Sequence, residues 1–256
     1  MSCEKCKDTA GFILTELADG RTGAEKCDCS TIGYQETVKG RANIPEAYQT
    51  AALDNFKLPE NNPIARSHFA TAANDVRTYI REFPMVSPSG LLFIGPTGTG
   101  KTHLAVATLR GLLDRGFEGV FFNFSKLLDH IRSGWKPDAG TMDRAAYSLA
   151  EETPILVLDD LGAHRVVEWV QDIIESIITH RCNHRKALIA TTNLPDPDVT
   201  GGIVAYTGAG GIPVHKQNLA ECIGMRARSR LFEMCRVIWM PAVQDYRVQH
   251  GKVVKL

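Results

Sequence analysis

The chain predicts an α/β fold, a parallel sheet covered by helices on both faces. Three observations carry that prediction. After Pro84 and Pro88, short apolar runs of four or five residues recur along the chain. Longer amphipathic segments separate them. The first run ends in a glycine-rich turn that opens directly into one of those segments. A short continuous apolar run suits a strand buried on both faces, and strands alternating with helices imply parallel crossovers.

The runs are Gly90–Ile94, Gly119–Asn123, Pro154–Leu158, Ala187–Thr191 and Arg236–Met240. Helical patterns lie at about 101–115, 125–133, 141–151, 165–183 and 214–234. In the fourth, Val166, Val170, Ile173 and Ile177 form one stripe, with Val167, Ile174 and Ile178 beside it. Ahead of the first strand, residues 64–82 have a helical period with Ile64, Phe69, Ala73, Val76 and Ile80 on one face. Residues 31–62 read as a linker with short helical pieces, one of them starting at Pro45. Gly11 to Thr15 followed by a polar turn suggests a short hairpin. Five glycines within residues 200–211 suggest a flexible loop. Three parts result: an N-terminal module at 1–43, a helical linker at 44–88, and the main domain at 89–256.

The bulk composition is that of a globular protein: 256 residues, 44% hydrophobic and 23% charged. No apolar run approaches the length of a membrane span, and the polar N-terminus lacks the apolar core of a signal peptide. A cytoplasmic location is expected. A formal net charge of zero argues against a protein that coats nucleic acid. From Pro213 onward, however, eight Lys/Arg stand against three Asp/Glu, either a solvated basic face or one that meets phosphates.

Gly95, Pro96, Thr97, Gly98, Thr99, Gly100, Lys101 and Thr102 match the phosphate-loop pattern G-x-x-x-x-G-K-[ST] in full. Backbone N–H groups must converge on phosphate oxygens, so the loop needs residues that accept unusual dihedrals. The following helix points its positive end at the same oxygens. Lys101 supplies a point charge, and the Thr102 hydroxyl ligates magnesium. A strand next to the loop should deliver an acid to the metal, which suits Asp159; Asp160 is then placed to polarise the attacking water. ATP and magnesium are the expected ligands. Asn193, at the end of the Ala187 strand, either orients that water or closes a turn. In Gly224-Met-Arg226-Ala-Arg228-Ser-Arg230, Arg226 and Arg230 share a helix face and Arg228 points elsewhere. The pair suits a nucleotide on a neighbouring subunit, or simple pairing with acids such as Glu233. Arg247 is a further phosphate contact on offer.

Seven cysteines without an export signal argue against structural disulfides. Cys3-x-x-Cys6 and Cys27-x-Cys29 are two close pairs in a segment too small to build its own core, which points to a structural zinc. Cys182, Cys222 and Cys235 read as small core residues.

Taken in order, the phosphate loop, the Asp-Asp strand, the Thr191-Thr192-Asn193 strand, the arginine helix and Asp245-Tyr246-Arg247 resemble the DnaC/DnaI-type AAA+ replicative helicase loaders. They also resemble the related IstB-type transposition helper ATPases. The resemblance covers about residues 44–250 and includes Ile44-Pro45, Asn55-Phe56 and Leu158-Asp-Asp-Leu-Gly162. The N-terminal cysteine pairs are similar to the zinc module ahead of the ATPase in many such loaders. The resemblance implies an AAA+ P-loop fold behind a small zinc-knuckle module, an oligomer, and ATP-driven action. It makes Asn193 the sensor-1 residue, Arg230 or Arg226 the arginine finger, and Arg247 the sensor-2 residue. It implies a DnaB-type helicase, single-stranded DNA and further copies of the chain as partners, with no membrane. The helix at 165–183 would lie near the DNA, where His180, Arg181, His184, Arg185 and Lys186 either meet phosphates or complement their own helix end. A transposition helper acting on duplex DNA, and an ATP-gated adaptor with little turnover, stay open as alternatives.

Overall fold

The computed structural model describes residues 12–16, 22–26, 39–60, 62–133, 144–163, 168–200, 206–207, 213–214, 217–243 and 245–246. The expected hairpin is present as β1 (Phe12–Glu16) and β2 (Thr22–Lys26), antiparallel with Phe12 opposite Lys26. A 3-10 turn at Glu46–Tyr48 follows Pro45, as the sequence suggested. Helix α1 (Pro63–Glu82) starts where Asn62 accepts from the Ala65 N–H at 3.0 Å and Pro63 fills a position that needs no donor.

The main sheet contains β3 (Gly90–Ile94), β4 (Gly119–Asn123), β5 (Ile155–Asp159), β6 (Ala187–Thr192) and β9 (Cys235–Trp239). All neighbours are parallel, in the order β4-β5-β6-β3-β9. Its helices are α2 (Lys101–Asp114), α3 (Phe124–Ser133), α4 (Arg144–Glu152) and α5 (Glu168–Asn183), with the short α6 (Pro197–Thr200), then α7 (Leu219–Ile223) and α8 (Met225–Met234). Strand side chains alternate between two cores. Leu92, Ile94, Leu156, Leu158, Leu188 and Ala190 face α3, α5, α7 and α8. Leu91, Phe93, Ile155, Val157, Ala187 and Ile189 face α1 and α2. Both faces are covered, which is why the strands read as unbroken apolar runs. Cys222 and Cys235 are buried and Cys182 packs against the first core, in line with their reading as core residues.

Three details differ from the sequence reading. The α1 stripe is Ala65, Phe69, Ala72, Val76 and Tyr79, with Ile64 75% exposed. Helical side chains lean toward the N-terminus, so Ile64 in the first turn points past the end of the packed surface. The pattern at 214–234 is two helices. Gly224, at φ 85°, breaks it, and Asn218 and Glu221 form a capping box on the first. β7 (Tyr206–Thr207), inside the glycine-rich stretch, pairs with β8 (Pro213–Val214) just after it. No described helix is long and apolar enough to cross a membrane.

Candidate nucleotide site

β3 ends at Ile94 and the phosphate loop turns from there into α2. Gly98 (φ 79°) and Gly100 (φ 87°) take left-handed backbone that a side chain would strain. Gly98 has a second reason to be glycine: Asp245 packs where its Cβ would stand, and the Tyr246 N–H reaches the Gly98 carbonyl at 3.4 Å. Lys101 is buried, its ammonium donating to the Pro96 carbonyl at 2.7 Å. The Thr99 hydroxyl donates to the same carbonyl at 2.9 Å. The loop is thus folded on itself, with the lysine held at its centre.

The Thr102 hydroxyl donates to Asp159 Oδ1 at 2.8 Å. The sequence expected the acid on the strand next to the loop, but β6 lies between β5 and β3. The helix that follows the loop, α2, packs against β5 and β6 and so carries Thr102 to Asp159. The intervening strand contributes as well. Thr191 on β6 donates to Asp159 Oδ1 at 2.7 Å, and its oxygen accepts from the Asp160 N–H at 3.0 Å. Sequence reading treated Thr191 only as part of a strand end, and the strand order is what reveals its role.

Asp159 is 6% exposed, and burial pushes its carboxyl above the ordinary carboxylate range. The Thr191 hydroxyl draws it back, the Asp160 carboxylate pushes it further, and Thr102 and Lys101 lower it. A buried carboxylate and a hydroxyl 2.8 Å apart, next to a buried ammonium, are the hard oxygen donors and the charge that a magnesium–phosphate ligand needs. Asp160 sits at φ 57°, a left-handed position that a short acid tolerates better than most residues. The Thr191 oxygen holds its N–H there. Asn193 follows β6 at the same edge and is half-buried.

The arginines separate sharply. Arg226 is 87% exposed, 3.6 Å from Glu175. Arg230 is paired with Glu233 at 2.8 Å. Arg228, which the helical spacing directed elsewhere, turns inward. It makes two 2.6 Å bonds to Asp196, a fully buried carboxylate, and one of 2.5 Å to Asp198, with its guanidinium over the Phe232 ring. Arg181 corrects the phosphate-contact reading at the end of α5. It is fully buried, and burial pulls its pKa down to about 9. Its two terminal nitrogens donate to the carbonyls of Ala150, Glu151, Thr153, Pro154 and Ala187. Those carbonyls lie at the end of α4 and at or just before the starts of β5 and β6. His180 and Lys186 both meet Glu152, and His184 stacks on His180. Cys3, Cys6, Cys27, Cys29 and Arg247 lie outside the described residues. Among the described residues no group of three or more His, Cys, Asp or Glu is placed to hold a metal.

Known proteins resemble the chain over the segment that holds this site. A family model described as IstB-like ATP binding protein matches residues 56–198. The replicative helicase loader DnaC of Escherichia coli K12 is 23% identical over 153 residues, 60% of this chain and 59% of that protein. A protein of insertion sequence IS1162 from Pseudomonas fluorescens, named as ATP-binding, is 30% identical over 155 residues, 60% of this chain and 62% of that protein. The chain therefore spans less than two thirds of the relatives it matches. A crystal structure of the DnaC helicase loader aligns with a TM-score of 0.61 at 28% identity, over 77% of this chain and 99% of that one.

Proposed function

Because the chain belongs to the family of IstB-like ATP binding proteins, we propose that it is an ATP-hydrolysing loader that acts as an oligomer and places a DnaB-type replicative helicase on single-stranded DNA. The meeting of Thr102 and Asp159 beside buried Lys101 carries the nucleotide part of this reading. The likeness to the DnaC structure, 28% identical over nearly its whole length, favours a loader over a transposition helper.

ATP displaces the internal bond between Lys101 and Pro96, and the ammonium turns to the β/γ oxygens. The amides of Gly98 to Lys101 face the same oxygens at the positive end of α2. Magnesium, held by the Thr102 hydroxyl and Asp159, would offset the phosphate charge. Thr191 keeps Asp159 oriented and fixes the backbone of Asp160, whose carboxylate takes a proton from the attacking water. Asn193 orients that water, Arg247 adds a phosphate contact, and Arg230 or Arg226 completes the site of a neighbouring copy. Cys3, Cys6, Cys27 and Cys29 bind a structural zinc. The antiparallel hairpin supports this, because Phe12 pairs with Lys26, so the ends of the two strands that lead to the cysteine pairs lie side by side.

The test is mass photometry of the chain with a DnaB-type hexamer, with and without ATP and magnesium. A discrete complex carrying several copies of the chain is expected. The absence of any complex under every nucleotide condition would sink the loader reading.

A further inference from the structure

Residues 42–58 form a strap between the N-terminal hairpin and α1, and the strap is fastened to the phosphate-loop helix. Arg110 and His103, both on α2, reach the carbonyls of Ala51 (2.5 Å) and Ala52 (2.8 Å). Asn55 closes the turn between them: its amide donates to the Thr50 carbonyl at 2.8 Å and its oxygen accepts from the Ala52 N–H at 3.0 Å. That turn delivers Phe56. The ring lies nearly parallel to Phe69, centroids 6.1 Å apart, and 5.6 Å from His103. Its Cε2 stands 2.7 Å from where a Cβ on Gly100 would be. Gly100 is the N-cap of α2 and immediately precedes Lys101.

The other end of the strap is held as well. The Phe121 N–H donates to the Ala42 carbonyl at 2.8 Å, and the Asn43 amide donates to the Phe121 carbonyl at 3.1 Å. Phe121 is in β4, an edge strand of the sheet, so the strap covers an edge that would otherwise be open to other chains.

A glycine loop must be flexible enough to wrap phosphate, yet it binds tightly only if it is held near its bound shape. The ring of Phe56 fills the space left by the missing side chain of Gly100 and stops that turn from collapsing backward. We propose that Phe56, held against the loop by the strap, is a positioning residue for phosphate binding. This rests on the reading that the loop binds ATP.

Titrations of the full chain with magnesium–ATP and with magnesium–tripolyphosphate test it. Lys101→Ala is the control: if it binds as well as the parent chain, the nucleotide reading fails, and this inference with it. With that control in place, Phe56→Ala is expected to weaken both ligands by the same factor, about tenfold, because loop geometry and not base contact is lost. Phe56→Leu recovers most of the affinity, since it refills the space. Unchanged affinity for tripolyphosphate overturns the proposal, including the case where only ATP weakens and Phe56 is a base contact. If Phe56→Ala does not fold, hydrogen exchange of the parent chain decides. Amides 50–56 are expected to slow when magnesium–ATP is added, and unchanged exchange there overturns the proposal.

Discussion

The loop end of the sheet and the arginine face of α8 both carry charge, but they are built in opposite ways. Asp159 is 6% exposed and accepts from two hydroxyls that belong to different elements. Arg226 is 87% exposed and stands 3.6 Å from one half-exposed acid. The first cluster is set before any ligand arrives, and the desolvated carboxylate and ammonium lie where a cation and phosphate would gain most from them. The second is held by surface pairs that contribute little and yield to a competing anion. On the proposed function, a chain built this way would bind nucleotide by itself and leave one side of the site to be completed by a neighbouring copy.

The largest expected effect breaks the first cluster. Lys101→Ala should lower ATP affinity about a hundredfold or more, read by calorimetric titration, because the loop's central charge is gone while its amides remain. Retained affinity would mean that nucleotide does not bind at this loop. Next comes Arg228→Ala. It leaves Asp196, which is fully buried, without its two-bond partner, and about 3–5 kcal/mol of stability should be lost in urea unfolding. A loss below about 1 kcal/mol would show that water reaches Asp196.

Arg228 also marks where the sequence stopped being legible. The phosphate loop could be read outright, because the chemistry dictates both residue types and spacing. The strands and their acid-bearing ends followed from apolar runs buried on both faces. What the sequence hid depends on contacts between distant segments. Thr191 gained meaning only once β6 lay between β5 and β3. Arg181 looked like a basic helix end, yet carbonyls from three elements converge on it. Arg226, Arg228 and Arg230 alternate along one helix, and only Asp196, more than thirty positions away, tells which of them is internal.

A smaller effect sharpens the comparison through pH. Burial raises the folded pKa of Asp159 above its unfolded value. Its contribution to stability is therefore full below the unfolded carboxylate range and is lost as pH rises through the raised folded value. Above the unfolded carboxylate range this ionisable group therefore costs the ligand-free protein stability. Asp159→Asn keeps an oxygen for Thr102 and Thr191 to donate to, and removes the ionisable group. Its melting point without nucleotide should rise by about 2–4 °C at neutral pH, a gap that closes in acid, while magnesium-dependent hydrolysis disappears. A lower melting point at neutral pH would mean that Asp159 is stabilising as an anion.

The smallest effect on the single chain belongs to the exposed arginines. Among the described residues Arg230 meets Glu233 and Cys182, and Arg226 reaches Glu175. Arg230→Ala should leave the melting point and the ATP affinity of the isolated chain unchanged, yet reduce turnover once the chain is concentrated enough to assemble. Mixing separates the two halves of the site. Lys101→Ala keeps its arginines but binds no ATP, whereas Arg230→Ala binds ATP but offers no arginine. If Arg230 acts on the neighbouring copy, equal amounts of the two variants should recover part of the turnover that each lacks alone. If the mixture stays as slow as its components, Arg230 does not act across a subunit boundary, and Arg226 becomes the residue to test in the same way.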